Sequence, residues 1–139
     1  MRSHMSNLDP AILNLLEDIS RSAKRILSRL QDQNLDIFVG KNDLSLDLQD
    51  IAARQMTIIG EAATRLLKKY PDFCEQHSEI PLQQARRMRN VLVHDYGKVD
   101  WRLVWDTAHD ELPQLVVSIA PYTSPGSEPE EGGGDGPSP

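Results

Sequence analysis

Arg89, Asn90, His94 and Tyr96 stand within the eight residues Arg89-Asn90-Val91-Leu92-Val93-His94-Asp95-Tyr96, and their types suit acid–base chemistry on a phosphodiester. Histidine changes charge near neutrality and can serve there as acid or base. Arginine stays protonated and offers a planar fork to phosphate oxygens. RNA carries its own nucleophile, the ribose 2′-OH. A proton acceptor or donor and a fixed cation are therefore enough to cleave it, without a metal. At about 100° per helical residue the four polar side chains fall in one sector, with Val91 and Leu92 turned away. Arg89 and His94 are then not stacked neighbours, but they can frame a shallow groove that a second subunit closes. Asn90 can orient either group, and a helix end favours the protonated form of His94. Arg86, Arg87 and Lys98 are weaker candidates for contacts to RNA phosphates. A plainer reading fits the same residues: a solvated basic turn, a half-buried Tyr96 with a wet hydroxyl, and Trp101 and Trp105 as core. Residue types alone do not choose between the two.

Other chemistries find less support. His77 sits in a polar turn and His109 among charges, and both read as solvated surface histidines without a ligand-spaced partner on one helix face. No glycine-rich loop precedes a helix with phosphate-binding spacing, and Cys74 has no motif around it. Neither a metal nor another cofactor is expected. A lone cysteine fits a reducing compartment, no apolar run approaches the roughly 20 residues of a membrane span, and no leader pattern opens the chain. The expectation is a cytoplasmic protein without a membrane partner. Four acids and no base fall in residues 123–139, so residues 1–122 carry only −2 of the net −6. Between 85 and 102, five bases face two acids. An acidic whole argues against a DNA-coating protein but leaves room for a small basic cleft that takes one RNA strand.

Helices must position these residues. Asp9 is a good N-cap and Pro10 suits a first turn. Ile12, Leu15, Leu16, Ile19, Ala23, Ile26, Leu27 and Leu30 then recur at three- and four-residue spacing, predicting a helix of about 33 Å. Residues 32–46 read as a polar connection that turns at Gly40. Leu48, Ile51, Ala52, Ile58, Ile59, Ala62, Leu66 and Leu67 mark a second helix that Pro71 stops. Its small residues around Gly60 predict the close approach of a neighbouring helix. Pro81 opens a third helix reaching about His94 or Asp95, Gly97 ends it, and Asp100 caps a fourth that Pro113 should kink or divide. With no sustained alternation, the class is all-α, a four- to five-helix bundle. Seven aromatic residues leave its core to aliphatic side chains. Met1–His4 look like an expression scar ahead of a domain at 5–122, and the acidic, Gly- and Pro-rich segment 123–139 is expected to be disordered.

Arg89, four residues, His94, one residue and Tyr96 resemble the RX4HXY signature of HepT-like toxins in the HEPN superfamily. The resemblance continues through Leu48-Gln49-Asp50, Ile58-Ile59-Gly60-Glu61-Ala62, Glu79-Ile80-Pro81, Met88-Arg89-Asn90, Leu92-Val93-His94, Val99-Asp100 and Val104-Trp105, covering about residues 8–122. Leu82 and Arg87 depart from the family's usual aromatic residue and glycine. The resemblance implies a HEPN-like bundle that forms a homodimer with a composite cleft. It further implies a metal-independent endoribonuclease with Arg89 and His94 as active-site residues. The partner it implies is an MNT-type nucleotidyltransferase antitoxin that silences the toxin by AMP transfer to Tyr96. A competing reading is a non-catalytic subunit that docks a nucleotidyltransferase or holds a nucleotide through Arg86, Arg87 and Tyr96.

Overall fold

The computed structural model describes residues 8–93 and 98–123, and no strand occurs among them. The expected scar at 1–4, all of the expected tail 123–139 except the helical Thr123, the candidates His94 and Tyr96, and the helix-ending Gly97 lie outside the described residues. Helix α1 spans Pro10–Leu30. The Asp9 carboxylate accepts the Ala11 N–H at 2.8 Å, and Pro10 occupies the first turn, as the sequence predicts. Ile12, Leu16, Ile19, Ala23, Ile26 and Leu30 form its buried stripe.

The connection after α1 is more structured than its polarity predicts. Asn34 caps a single helical turn, α2 (Leu35–Phe38), by accepting from the Ile37 N–H at 2.9 Å. That turn drives Phe38 into the core, where it is fully buried. Its ring meets Trp101 edge-on at 5.9 Å and Trp105 at 5.5 Å, so both tryptophans serve packing. The Gln49 amide donates to the carbonyls of Phe38 at 2.8 Å and Gly40 at 3.0 Å, tying the turn to the next helix. A Cβ on Gly40 would come 2.8 Å from Ser45 Oγ, which is why a residue without one turns the chain there.

Helix α3 runs Asp43–Lys69, starting earlier than the apolar pattern indicates because Asn42 caps it through the Ser45 N–H at 2.8 Å. A short helix α4 (Pro71–Gln76) follows. The third helix differs most from expectation. Helix α5 covers only Leu82–Arg87, Met88–Leu92 winds as a 3₁₀ turn, and Val93 is already extended (φ −115°, ψ 118°). β-Branched Val91 and Val93 continue a helix poorly and accept extended backbone readily. The tighter winding also seats Met88 in the core at 2% exposure. The polar sector deduced for Arg89, Asn90, His94 and Tyr96 presumed a regular α-helix, which ends at Arg87, and His94 and Tyr96 lie outside the described residues.

Helix α6 spans Trp101–Thr123, with the Leu103 N–H donating to Asp100 as predicted. It continues through Pro113 and Pro121 rather than dividing. Both prolines are exposed, as are His109 and Val117 four residues earlier. The carbonyls that each ring deprives of a partner therefore lie on the solvent side, where water can satisfy them. Helix α1 packs against both α3 and α6, while α5 and the 3₁₀ turn pack against α3. Aliphatic side chains fill most of this bundle, joined by Phe38, Phe73, Met56 and Met88.

His77 is half-buried, contrary to its reading as a solvated residue. Its ring packs on Phe73 with centroids 4.5 Å apart, and its Nδ1 lies 2.7 Å from the Tyr122 hydroxyl. Tyr122 donates its one proton to Glu79, so it accepts from His77 Nδ1–H. This clamp holds the end of α6 against the 77–80 turn. Burial, together with the hydrogen bond to Glu79, pushes the Tyr122 phenol up to about 12. The same bond holds the Glu79 carboxylate below its ordinary value. A raised folded pKa means that Tyr122 contributes stability below its ordinary value of 10, lost as pH rises toward 12. The Glu79 contribution is present above its ordinary value and lost as pH falls through the lowered one. Tyr122→Phe should cost at most about 1 kcal/mol at neutral pH and flatten the alkaline loss of stability. Thermal melting across pH checks this, and an unchanged alkaline slope would remove Tyr122 from the account.

Candidate active site

Arg86, Arg87 and Arg89 leave one short segment toward three different grooves. Arg86 lines an outer groove with Lys68, Cys74 and Glu75. Burial raises the Cys74 thiol pKa, which disfavours its reactive thiolate. Arg87 and Asn90 line a second groove with Val93, Leu103, Thr107 and Glu111. There burial pushes the Glu111 carboxyl above the ordinary carboxylate range, against the opposing pull of the Arg87 guanidinium. Arg89 enters a third groove of about 400 Å³ with Glu61, Thr64, Arg65, Lys68 and Lys69. Within one chain, then, Arg89 and Asn90 face different grooves. Lys98 is exposed.

The placement of Arg89 follows from Gly60. A Cβ on Gly60 would overlap Arg89 Cγ, and would lie 2.9 Å from Cδ and 3.2 Å from its Cβ. The arginine stem thus lies flat on bare helix backbone. Thr64 on the next turn donates its hydroxyl to the Gly60 carbonyl at 2.8 Å. The small residues of α3 do permit a close approach, and what approaches is an arginine side chain. A glycine inside a helix costs about 1 kcal/mol relative to alanine. That cost is offset by a guanidinium whose direction is set by a rigid surface instead of by solvent.

Four cations (Arg65, Lys68, Lys69 and Arg89) meet one acid, Glu61, around this groove. Among the described residues no ion pair engages any of the four. Lys68 and Lys69 also sit in the last turn of α3, where they complement the helix dipole. Arg65 and Lys68 were not singled out from the sequence. Their signal was legible, because Glu61, Arg65 and Lys68 follow Gly60 at helical spacing and share one exposed ridge. The groove can hold a phosphate against a positioned planar donor. Among the described residues no three His, Cys, Asp or Glu side chains gather as a metal-ligand set. No helix among them is long and apolar enough to cross a membrane.

Comparison with known proteins bears on this groove. The sequence profile of the family described as "Ribonuclease HepT-like" matches residues 19–120. A protein of Caldanaerobacter subterraneus subsp. tengcongensis named "Putative RNase TTE0752" is 32% identical over 104 residues, 75% of this chain and 87% of that one. "Probable ribonuclease HepT" of Thermococcus cleftensis is 40% identical over 62 residues, 45% of this chain and 54% of that one. "Putative RNase MJ0125" of Methanocaldococcus jannaschii is 29% identical over 100 residues, 72% of this chain and 80% of that one. No solved structure gives a significant match.

Proposed function

Because the chain belongs to the HepT-like ribonuclease family, we propose that it cleaves RNA without a metal, using Arg89 and His94 at the reacting phosphate with Asn90 in support. The carrying observation is the Arg89 stem laid on Gly60, which directs a guanidinium into a groove with three further cations. In this reading the 2′-OH of one ribose loses its proton to a base and attacks the adjacent phosphorus. The bond to the 5′-oxygen breaks, and that oxygen takes up a proton as it leaves. His94 serves the proton transfers, and Arg89 neutralises the charge that builds on the phosphoryl oxygens. Arg86, Arg87 and Lys98 contribute outer contacts only, since Arg86 and Arg87 open to other grooves.

The same reading makes the chain the toxin half of a HepT–MntA module in the cytoplasm. It acts as a homodimer whose second copy completes the cleft. Val93, 74% exposed, and Leu103, 41% exposed, beside the Asn90 groove supply apolar surface for that copy. Transfer of AMP to Tyr96 by an MNT-type nucleotidyltransferase adds a bulky anion two residues from His94, which repels RNA phosphate. The test is cleavage of a labelled single-stranded RNA by purified protein in EDTA, with the mass of the protein measured alongside. Cleavage by unmodified protein, abolished when an AMP-sized adduct sits on Tyr96, is expected. Unmodified protein that leaves RNA intact overturns the proposal.

A further inference from the structure

A second concentration of positive charge lies away from Arg89, in a groove of about 730 Å³ between α1 and α3. Arg21, Lys24, Arg25 and Arg29 of α1 and Arg54 of α3 line it, with Asp50 as the one acid. All five bases are exposed. Arg21 is paired to Asp18 at 3.1 Å, while among the described residues no ion pair engages the other four. Arg21, Arg25 and Arg29 follow at four-residue intervals, which places two consecutive like-charge pairs on one helix face. Such pairs destabilise a helix by a few tenths of a kcal/mol each. In a chain with net charge −6, this crowding opposes folding and is relieved by a bound polyanion.

Both basic grooves are bordered by helix α3. On α3, Asp50, Arg54, Glu61, Arg65 and Lys68 fall within about 60° of one another and are all exposed, with the half-buried Thr57 between Arg54 and Glu61 on the same face. Arg54 borders the α1–α3 groove and Arg65 the Arg89 groove. Eleven residues separate them, about 16 Å along the axis, close to five phosphates at the ~3.4 Å spacing of a stacked strand.

We propose that the α1–α3 groove is a second phosphate-binding subsite for single-stranded RNA, holding the strand up to about five nucleotides from the Arg65 side of the Arg89 groove. The proposal rests on the reading of the Arg89 groove as the cleavage site and extends it. Arg25, Arg29 and Arg54 bind the backbone there without reading bases, so the subsite selects for length and single-strandedness rather than for sequence.

The experiment compares full-length parent protein with the triple variant Arg25→Gln, Arg29→Gln, Arg54→Gln. Affinity for labelled RNAs of about 20 and about 4 nucleotides is measured by anisotropy over a range of salt. The expected result is a fall of at least tenfold in the ratio of long- to short-RNA affinity. The salt slope for the long RNA should also shrink by about 2, from three lost contacts at ~0.7 each. Thermal melting should show the variant as stable as the parent or more so, since like-charge pairs are removed. An unchanged ratio overturns the subsite. So does an equal loss for both lengths, which would make the effect one of overall charge. If the variant releases an acidic polypeptide such as polyglutamate but not the long RNA, the groove serves a protein partner and the proposal fails. Binding is read independently of cleavage, so a parent that binds the long RNA through this groove but cuts nothing would sink the cleavage reading and leave the subsite standing.

Discussion

RNA cleavage should fall by at least about 100-fold when Arg89 is replaced by alanine, with little change in fold. The guanidinium is exposed and unpaired among the described residues, so its loss strands no buried partner. In the proposed mechanism, what disappears is a donor fork held against the developing phosphorane charge, an interaction stronger in the transition state than with bound substrate. The loss should therefore appear in kcat more than in KM. Arg89→Lys keeps a charge and much of the stem on Gly60 but offers no planar pair of donors, and it should recover only part of the activity. His94→Ala should cost at least as much, and it should also remove the limb of the pH–rate profile that the imidazole produces, whereas Arg89→Ala should lower that profile without reshaping it. Single-turnover cleavage of a defined RNA across pH separates the two. An Arg89→Ala protein that cuts at the parent rate would exclude Arg89 from the chemistry.

The second large effect is expected from a residue that carries no functional group. Gly60→Ala should lower cleavage by ten- to a hundredfold while leaving the melting temperature nearly unchanged. The new Cβ would overlap Arg89 Cγ and crowd Cδ and Cβ, all near the root of the side chain, so the stem has to swing off the helix. Helix propensity improves by about 1 kcal/mol at the same position, which offsets strain in the rest of the fold. The double variant Gly60→Ala, Arg89→Ala should be no worse than Arg89→Ala alone, because both changes act on one guanidinium. Additive losses in that cycle would mean that Gly60 acts by another route.

Much of the bundle was legible residue by residue, and the reason is physical. Asp9 and Asp100 cap helices through bonds to amides two or three residues away, and the α1 stripe from Ile12 to Leu30 follows from helix periodicity. Interactions of that range are written into neighbouring positions and need no knowledge of the rest of the chain. Pro81 opens its helix as the sequence indicates, whereas Pro113 was less informative. Whether a proline interrupts a helix depends on where its ring and the freed carbonyl point, and at Pro113 they point to solvent.

The candidate site divides along the same line. The sequence by itself determined the all-α class, offered Arg89, Asn90, His94 and Tyr96 as candidates, and indicated a close approach at Gly60. Only the tertiary structure decided that the helix gives way to a 3₁₀ turn at Met88, that Arg89 and Asn90 open to separate grooves, and that Arg65 and Lys68 join Arg89. It also decided that Phe38 belongs to the core and that His77 is held by Tyr122. These outcomes depend on contacts between residues tens of positions apart. A helical wheel describes the direction of a side chain only while the helix continues, and where it stops is settled by what packs beneath it.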